Sequence, residues 1–338
     1  LKMAVKVGIN GFGRIGRLAA RILGSGHKDL ELVAVNSRGP NYSLAHLLKY
    51  DSVRRTYAGN VDYGDNYLKI EGRRIAVTHE TEPASIPWKD MEVDIVLEST
   101  GVFKRTDNTL PHIESGGAKK VIISAPSKDE TPMFVMGVNH DKYDPAAMHI
   151  LSNASCTTNC LAPVAKVIND TFGMEYGIMT TIHAYTMSQR MLDASANDIR
   201  RARAAGMSMV PTSTGAARSL GQVIPELDGK LDGFAIRVPT PDVSLLDLNC
   251  RASCEVTVEE VNHALKEASK GYLKGILAVT EVPLVSIDYT SSPYSAVVDA
   301  PLTMVMNKRM VKVQAWYDNE MGFAQRYIDL AAYVARRL

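Results

Sequence analysis

The sequence predicts an α/β chain of two domains: a doubly wound, mainly parallel sheet, followed by an α+β domain whose sheet is mainly antiparallel. Three observations predict it. The chain has 338 residues, beyond the size at which a single hydrophobic core usually keeps growing. Short apolar strands alternate with helix-like or loop segments in the first half, as a parallel sheet requires. After about residue 150 the strands become longer and alternate in polarity, which is the antiparallel pattern.

"AVKVGIN" (4–10) is a short β-rich run, and "RIGRLAARILGSG" (14–26) follows it with helical spacing of Ile15, Leu18, Ala19 and Ile22 before a glycine stop. "LELVAVN" (30–36), "VDIVLEST" (93–100) and "KKVIISA" (119–125) read as further parallel strands. In the second half "GIMTTIHAYT" (177–186), "GFAIRVPT" (233–240), "VSLLDLNCRAS" (243–253) and "MVKVQAWYD" (310–318) read as antiparallel strands. The stretch 198–219 is basic, then small and polar, and reads as a long functional loop. "RYIDLAAYVARR" (326–337) closes the chain as an amphipathic helix. The expected spans are 1–155 for the first domain, 156–318 for the second, and 319–338 for a helix that returns to the first.

Composition is that of an ordinary globular protein, 46% hydrophobic and 22% charged. With 38 basic against 37 acidic residues the formal charge is +1, so no overall field favours nucleic acid or a membrane surface. Any anion has to be met locally. Four cysteines in so long a chain do not make the framework of a small secreted domain, and the N-terminus enters a strand pattern with no apolar signal core. No run approaches the roughly 18 apolar residues of a membrane helix. The expectation is a cytoplasmic protein with no membrane or dedicated nucleic-acid partner.

"GFGRIG" spaces Gly11, Gly13 and Gly16 as a dinucleotide-binding turn does, directly after a strand and at the start of a helix. This points to a Rossmann dinucleotide-binding domain, with phosphates at the helix N-terminus. The second strand normally ends in an acid that holds the ribose of NAD; here it ends in Asn36, Ser37 and Arg38. A hydroxyl and a guanidinium would hold a 2′-phosphate. Arg38 as a plain solvated loop charge is the other reading.

"NASCTTNC" (153–160) places Cys156 and Cys160 four apart. Helical residues four apart seldom reach disulfide geometry, and no further Cys or His pair stands at zinc-ligand spacing, so no metal is expected. "SNAS" is turn and N-cap material, which puts Cys156 at a helix start where the dipole favours a thiolate. Cys160, one turn further in, reads as a packed thiol. His183 in "TTIHAYT" is the candidate base, because thiol catalysis pairs a helix-start cysteine with a histidine from another element. On the residues alone a strand histidine is as readily structural.

"INGFGRIGR", "HLLKYDS", "SNASCTTNCLAP", "RRARAA", "PTSTGAA", "RVPTPDVS" and "WYDNE" occur in the order found in phosphorylating glyceraldehyde-3-phosphate dehydrogenases, and the chain resembles that family from about residue 4 to 337. The resemblance implies that Cys156 adds to the aldehyde as nucleophile and His183 serves as base. It implies that Thr186 and Arg237 hold the substrate phosphate, and that Ser155, Thr157, Arg201, Thr214 and Gly215 surround the attacking inorganic phosphate. The implied cofactor residues are Asn10, Gly11, Phe12, Gly13, Arg14, Ile15, Gly16, Thr100, Ser124 and Asn319, for NAD or NADP. Ser37 and Arg38, with Ser195 in a loop similar to that of NADP-accepting members, suggest that NADP is accepted. Glyceraldehyde 3-phosphate and inorganic phosphate are the implied substrates, and a homotetramer the implied assembly. Erythrose-4-phosphate dehydrogenase and a non-catalytic nucleotide- or RNA-binding protein are the alternatives.

Overall fold

In a computed structural model the chain forms two compact units, one of Leu1–Phe134, His140–Ala154 and Ala324–Leu338, the other of Val135–Asn139 and Ser155–Phe323. The structure describes residues 4–338; Leu1, Lys2 and Met3, which the expected span 1–155 includes, lie outside the described residues. Residues 319–323 of the expected third span belong to the second unit. Their backbone is held there by Asp318, whose carboxylate accepts N–H bonds from Ser291, Glu320 and Met321.

The first unit carries an eight-stranded sheet in the order Ile150–Ser152, Lys120–Ile123, Ile95–Glu98, Val5–Asn10, Leu30–Asn36, Arg73–Thr78, Tyr67–Ile70, Val61–Gly64. The first six run parallel. The last two turn back antiparallel. No strand is expected from the sequence at 61–78, where turn residues break the apolar pattern into pieces too short to stand out. Val5–Asn10 lies between Leu30–Asn36 and Ile95–Glu98, so the connections diverge at its carboxyl end and open a crevice there. Helix Arg14–Gly24 follows that strand. Helix Met321–Ala335 continues into this unit, where the Tyr327 hydroxyl donates to the Ile122 carbonyl at 2.6 Å and lies 3.1 Å from that of Glu98.

In the second unit the sheet order is Val210–Ser213, Leu231–Val238, Met174–Ala184, Ser244–Ala252, Met310–Tyr317, Ala296–Asp299, Leu277–Thr280. It is mainly antiparallel, as expected. Two pairs run parallel, Met174–Ala184 with Leu231–Val238, and Leu277–Thr280 with Ala296–Asp299. The expected loop 198–219 contains the short strand Val210–Ser213 and the start of helix Ala216–Val223. That strand escapes a reading by period because it has four residues and a proline; Pro211 is tolerated there because the strand lies at the sheet edge. Helix Cys156–Phe172 packs on the sheet, its middle turns fully buried. Among the described residues no helix is long and apolar enough to cross a membrane.

Candidate active site

Two groups of residues stand out, one in each unit. In the first, Gly11 takes φ 93°, a left-handed conformation, and a Cβ there would meet the Thr100 nitrogen at 2.6 Å. A Cβ on Gly16 would meet the Gly11 carbonyl at 2.2 Å, so only glycine lets the helix sit this close to the turn. A Cβ on Gly13 would meet nothing within 4 Å: the backbone there faces open space. Gly13 is the helix cap, with no side-chain capping bond and no acid in the first turn. Free N–H groups and open space at a helix start suit the pyrophosphate of a dinucleotide.

Beneath this turn runs a buried polar chain. Trp88 Nε1 donates to His112 Nδ1 at 2.9 Å, and His112 Nε2 therefore carries the proton toward Glu98 at 3.2 Å. Glu98 also accepts from Asn10 Nδ2 at 2.6 Å and from the N–H and hydroxyl of Thr100. The side chains of Asn10 and Thr100 are thereby fixed by protein partners. Ser124 N–H bonds the Glu98 carbonyl, Phe12 is buried, and Ile15 is partly exposed. Arg14 pairs with Asp51. At the end of the second strand Asn36 is buried and spent internally, while Ser37 is half-buried and Arg38 exposed.

In the second unit, Ser155 caps helix Cys156–Phe172 by accepting the Thr158 N–H at 3.0 Å, so Cys156 is the first helical residue. Ala154, immediately before, is held at φ 56°, strained for a non-glycine residue. Along Met174–Ala184 the residues Met179, Thr181 and His183 alternate onto the buried face, and His183 Nε2 comes to 3.4 Å from Cys156 Sγ. The parallel register sets Arg237 beside His183. His183 Nδ1 lies 2.7 Å from the Ala184 carbonyl, and Arg237 Nη1 lies 2.9 Å from Nδ1 and 3.0 Å from that same carbonyl. With its Nδ1 proton on the carbonyl, the ring turns the Nε2 lone pair to the thiol.

Burial pushes the Cys156 thiol up, against Arg237 and the Thr157 and Cys156 hydrogen bonds that favour the thiolate. The helix start alone therefore does not hold it low, as the sequence suggests it should. Burial and the Arg237 charge bring His183 down to about 3, against the pull of the Ala184 carbonyl. At neutral pH the pair is a thiol beside a neutral imidazole, with the Nε2 lone pair facing Sγ.

The other expected anion residues lie in the same unit. Arg201 donates from Nε to Thr212 Oγ1 at 2.7 Å and from Nη2 to the Ser213 carbonyl at 3.2 Å, with Asp198 at 3.7 Å. Gly215 caps helix Ala216–Val223 without a side-chain bond, and a Cβ there would meet nothing within 4 Å. Thr214 Oγ1 accepts the Ala216 N–H. Thr186 pairs its hydroxyl with Ser188 at 2.9 Å. The Thr157 hydroxyl turns inward to Tyr317 at 3.0 Å. Ser195 is exposed in the loop, its carbonyl held by Arg190 at 3.0 Å. All four cysteines are free: Cys160 and Cys250 are buried and Cys254 is exposed. Among the described residues no cluster of His, Cys, Asp or Glu could hold a metal.

Sequence reasoning misses two groups here. Ser244 is buried and takes the Ala184 N–H at 3.1 Å while donating to Asn319 Oδ1 at 2.9 Å. It links Ala184, whose carbonyl anchors His183, to the amide of Asn319, leaving Asn319 Nδ2 to present a donor. Tyr317 bridges Thr157 and Thr181 and sets its ring edge-on to His183, with centroids 5.9 Å apart. The inward alternation of both strands could have marked Ser244 and Tyr317; a backbone carbonyl such as that of Ala184 leaves no sequence signal.

Residues 5–106 match the family described as the NAD binding domain of glyceraldehyde 3-phosphate dehydrogenase, and residues 155–319 match its C-terminal domain. The chain is 56% identical over 335 residues to glyceraldehyde-3-phosphate dehydrogenase of Geobacillus stearothermophilus, covering 99% of each. It is 54% identical to glyceraldehyde-3-phosphate dehydrogenase 2 of Trichormus variabilis, over 98% of this chain and 99% of that one. A third relative, glyceraldehyde-3-phosphate dehydrogenase 1 of Bacillus subtilis, is 54% identical with 99% of each covered.

Proposed function

The chain belongs to the glyceraldehyde-3-phosphate dehydrogenase family, and from that premise we propose that it oxidises glyceraldehyde 3-phosphate to 1,3-bisphosphoglycerate with inorganic phosphate. It is an oxidoreductase of glycolysis, and its first domain is NAD-binding. The observation that carries the mechanism is Cys156 Sγ facing His183 Nε2 at the start of a helix, with Arg237 beside the imidazole.

Cys156 Sγ adds to the aldehyde carbon as its proton passes to His183 Nε2 and on to the oxygen, giving a hemithioacetal. His183 then takes the hydroxyl proton as the carbon is oxidised to a thioester. Bound NAD or NADP supplies the hydride acceptor; Gly11, Gly13, Gly16 and the uncapped helix start are the residues suited to hold its pyrophosphate, and Asn319 its carboxamide. The N–H of Cys156 and the imidazole polarise the thioester carbonyl. A phosphate oxygen attacks that carbonyl, the carbon–sulfur bond breaks, and the thiolate takes back its proton. Arg237 and Thr186 hold the phosphate of the substrate; Arg201, Ser155, Thr157, Thr214 and Gly215 hold the incoming one.

The test is initial rates with glyceraldehyde 3-phosphate and erythrose 4-phosphate, with and without inorganic phosphate, run also on two variants. A higher specificity constant for erythrose 4-phosphate, or turnover independent of phosphate, overturns the reading. Each arginine lost costs about 2–4 kcal/mol, hence one to three decades in rate. Arg237→Ala is expected to act chiefly through the aldehyde dependence, Arg201→Ala through the phosphate dependence. An unchanged phosphate saturation curve in Arg201→Ala removes that residue from the site.

NADP is accepted beside NAD in this reading, supported by Ser37 and Arg38 where a ribose-binding acid would otherwise repel a 2′-phosphate. Four unpaired thiols support a cytoplasmic setting for the enzyme. It assembles as a homotetramer: Met187, Met191, Leu192, Ile199, Met207 and Met209 are all exposed within one stretch of a single chain, the kind of patch that association covers. Sedimentation at the 36.9 kDa mass of one chain rejects that assembly.

A further inference from the structure

We propose that His79, together with Ser37 and Arg38, forms the site that recognises the 2′-phosphate of NADP. The inference rests on the reading that NADP is accepted, and adds to it a residue outside the glycine turn and the second strand's end. Leu30–Asn36 and Arg73–Thr78 are parallel neighbours whose last residues, Asn36 and Thr78, stand level in the register. Residues 79 and 80, just beyond the second of these strands, therefore lie at the rim where the adenosine ribose of a dinucleotide is bound.

Asn36 fixes that rim. Its Nδ2 donates to Asn10 Oδ1 at 2.8 Å and to the Glu80 carbonyl at 2.9 Å. Its Oδ1 accepts from the Thr78 hydroxyl and the Glu80 N–H, both at 2.8 Å. The amide is thus used up in stapling residues 78–80 to the strand end, and has nothing left for a ribose. His79 sits within the staple. Its Nδ1 lies 2.6 Å from the Ser37 carbonyl, which can only accept, so Nδ1 carries a proton and Nε2 is the nitrogen turned outward. The imidazole is exposed, Arg38 is exposed without an ion pair among the described residues, and Ser37 keeps its hydroxyl.

A 2′-phosphate presents oxygens that accept, which the Ser37 hydroxyl and the Arg38 guanidinium meet as donors and which an imidazole nitrogen meets whenever it carries a hydrogen. The 2′-hydroxyl of NAD needs one acceptor, a role that an imidazole nitrogen lone pair fills. His79 can therefore serve either cofactor, where an aspartate at the strand end would exclude one. The Glu80 carboxylate is also exposed on this turn.

The test is calorimetric titration of the full chain with ADP-ribose and with its 2′-phosphorylated form, ligands that engage this rim without the nicotinamide or the chemistry. In His79→Ala the preference for the phosphorylated ligand is expected to fall about tenfold relative to the native protein. His79→Lys, which restores a donor, is expected to recover most of it. Ser37→Asp, which tests the underlying reading, is expected to lose at least tenfold. If Ser37→Asp responds but His79→Ala changes both ligands alike, His79 is only a brace for the Ser37 peptide and the proposal falls while NADP acceptance stands. A native protein that binds ADP-ribose but not its 2′-phosphate overturns both.

Discussion

Cys156→Ser is expected to abolish turnover by roughly four orders of magnitude or more while the protein still folds and binds dinucleotide. An alcohol is far more weakly acidic than a thiol and a poorer nucleophile, and no other group on the first turn of helix Cys156–Phe172 can add to an aldehyde. Cys160→Ser is expected to keep most activity: that side chain is fully buried, and burial drives its thiol well above the ordinary range. Iodoacetamide supplies an independent readout, provided modified peptides are mapped, because Cys254 is exposed and will also label. Loss of activity must follow modification of Cys156 and not of Cys254. Normal turnover by the Cys156→Ser variant, or inactivation that tracks another cysteine, ends the assignment.

The candidate nucleophile's place at a helix start and the glycine turn were legible because both are local in sequence. A capping serine, a cysteine and an apolar helix lie within one short stretch, and Gly11, Gly13 and Gly16 within another. What sequence could not show is what distant register brings together. Arg237 stands beside His183 only because Leu231–Val238 runs parallel to Met174–Ala184, a pairing that alternation in an antiparallel-looking half does not suggest. Ser244 ties Ala184 to Asn319 across strands and loops far apart in the chain. The balance of charges was hidden for a related reason. The helix start argued for a low thiol, yet the depth of the site, a property of packing, decides the direction. His79 carried no signal because its meaning lies in a hydrogen bond to a backbone carbonyl.

His183→Ala is expected to lower kcat by about 10²–10⁴-fold, the usual worth of a positioned acid–base group, with a smaller effect on KM. The pH dependence separates this role from simple packing. In the native protein the imidazole, held down to about 3, is neutral from mildly acidic pH upward, so the base stands ready across the neutral range and the rate changes little with pH there. Without it, the reacting thiolate has to form by loss of the proton to solvent. Burial has raised that thiol, so its ionised fraction grows with each step in pH until the raised value is reached. Residual activity of His183→Ala is therefore expected to climb about tenfold per pH unit through neutrality, and the alkylation rate of Cys156 to climb in parallel. Arg237 works in the same sense, since its charge favours the thiolate, so a second substitution at Arg237 is expected to push the climb to higher pH. Were the histidine only a wall of the site, the variant would lose activity by a factor constant in pH. A flat profile, or a kcat within about threefold of the native value, would show that His183 is not the base.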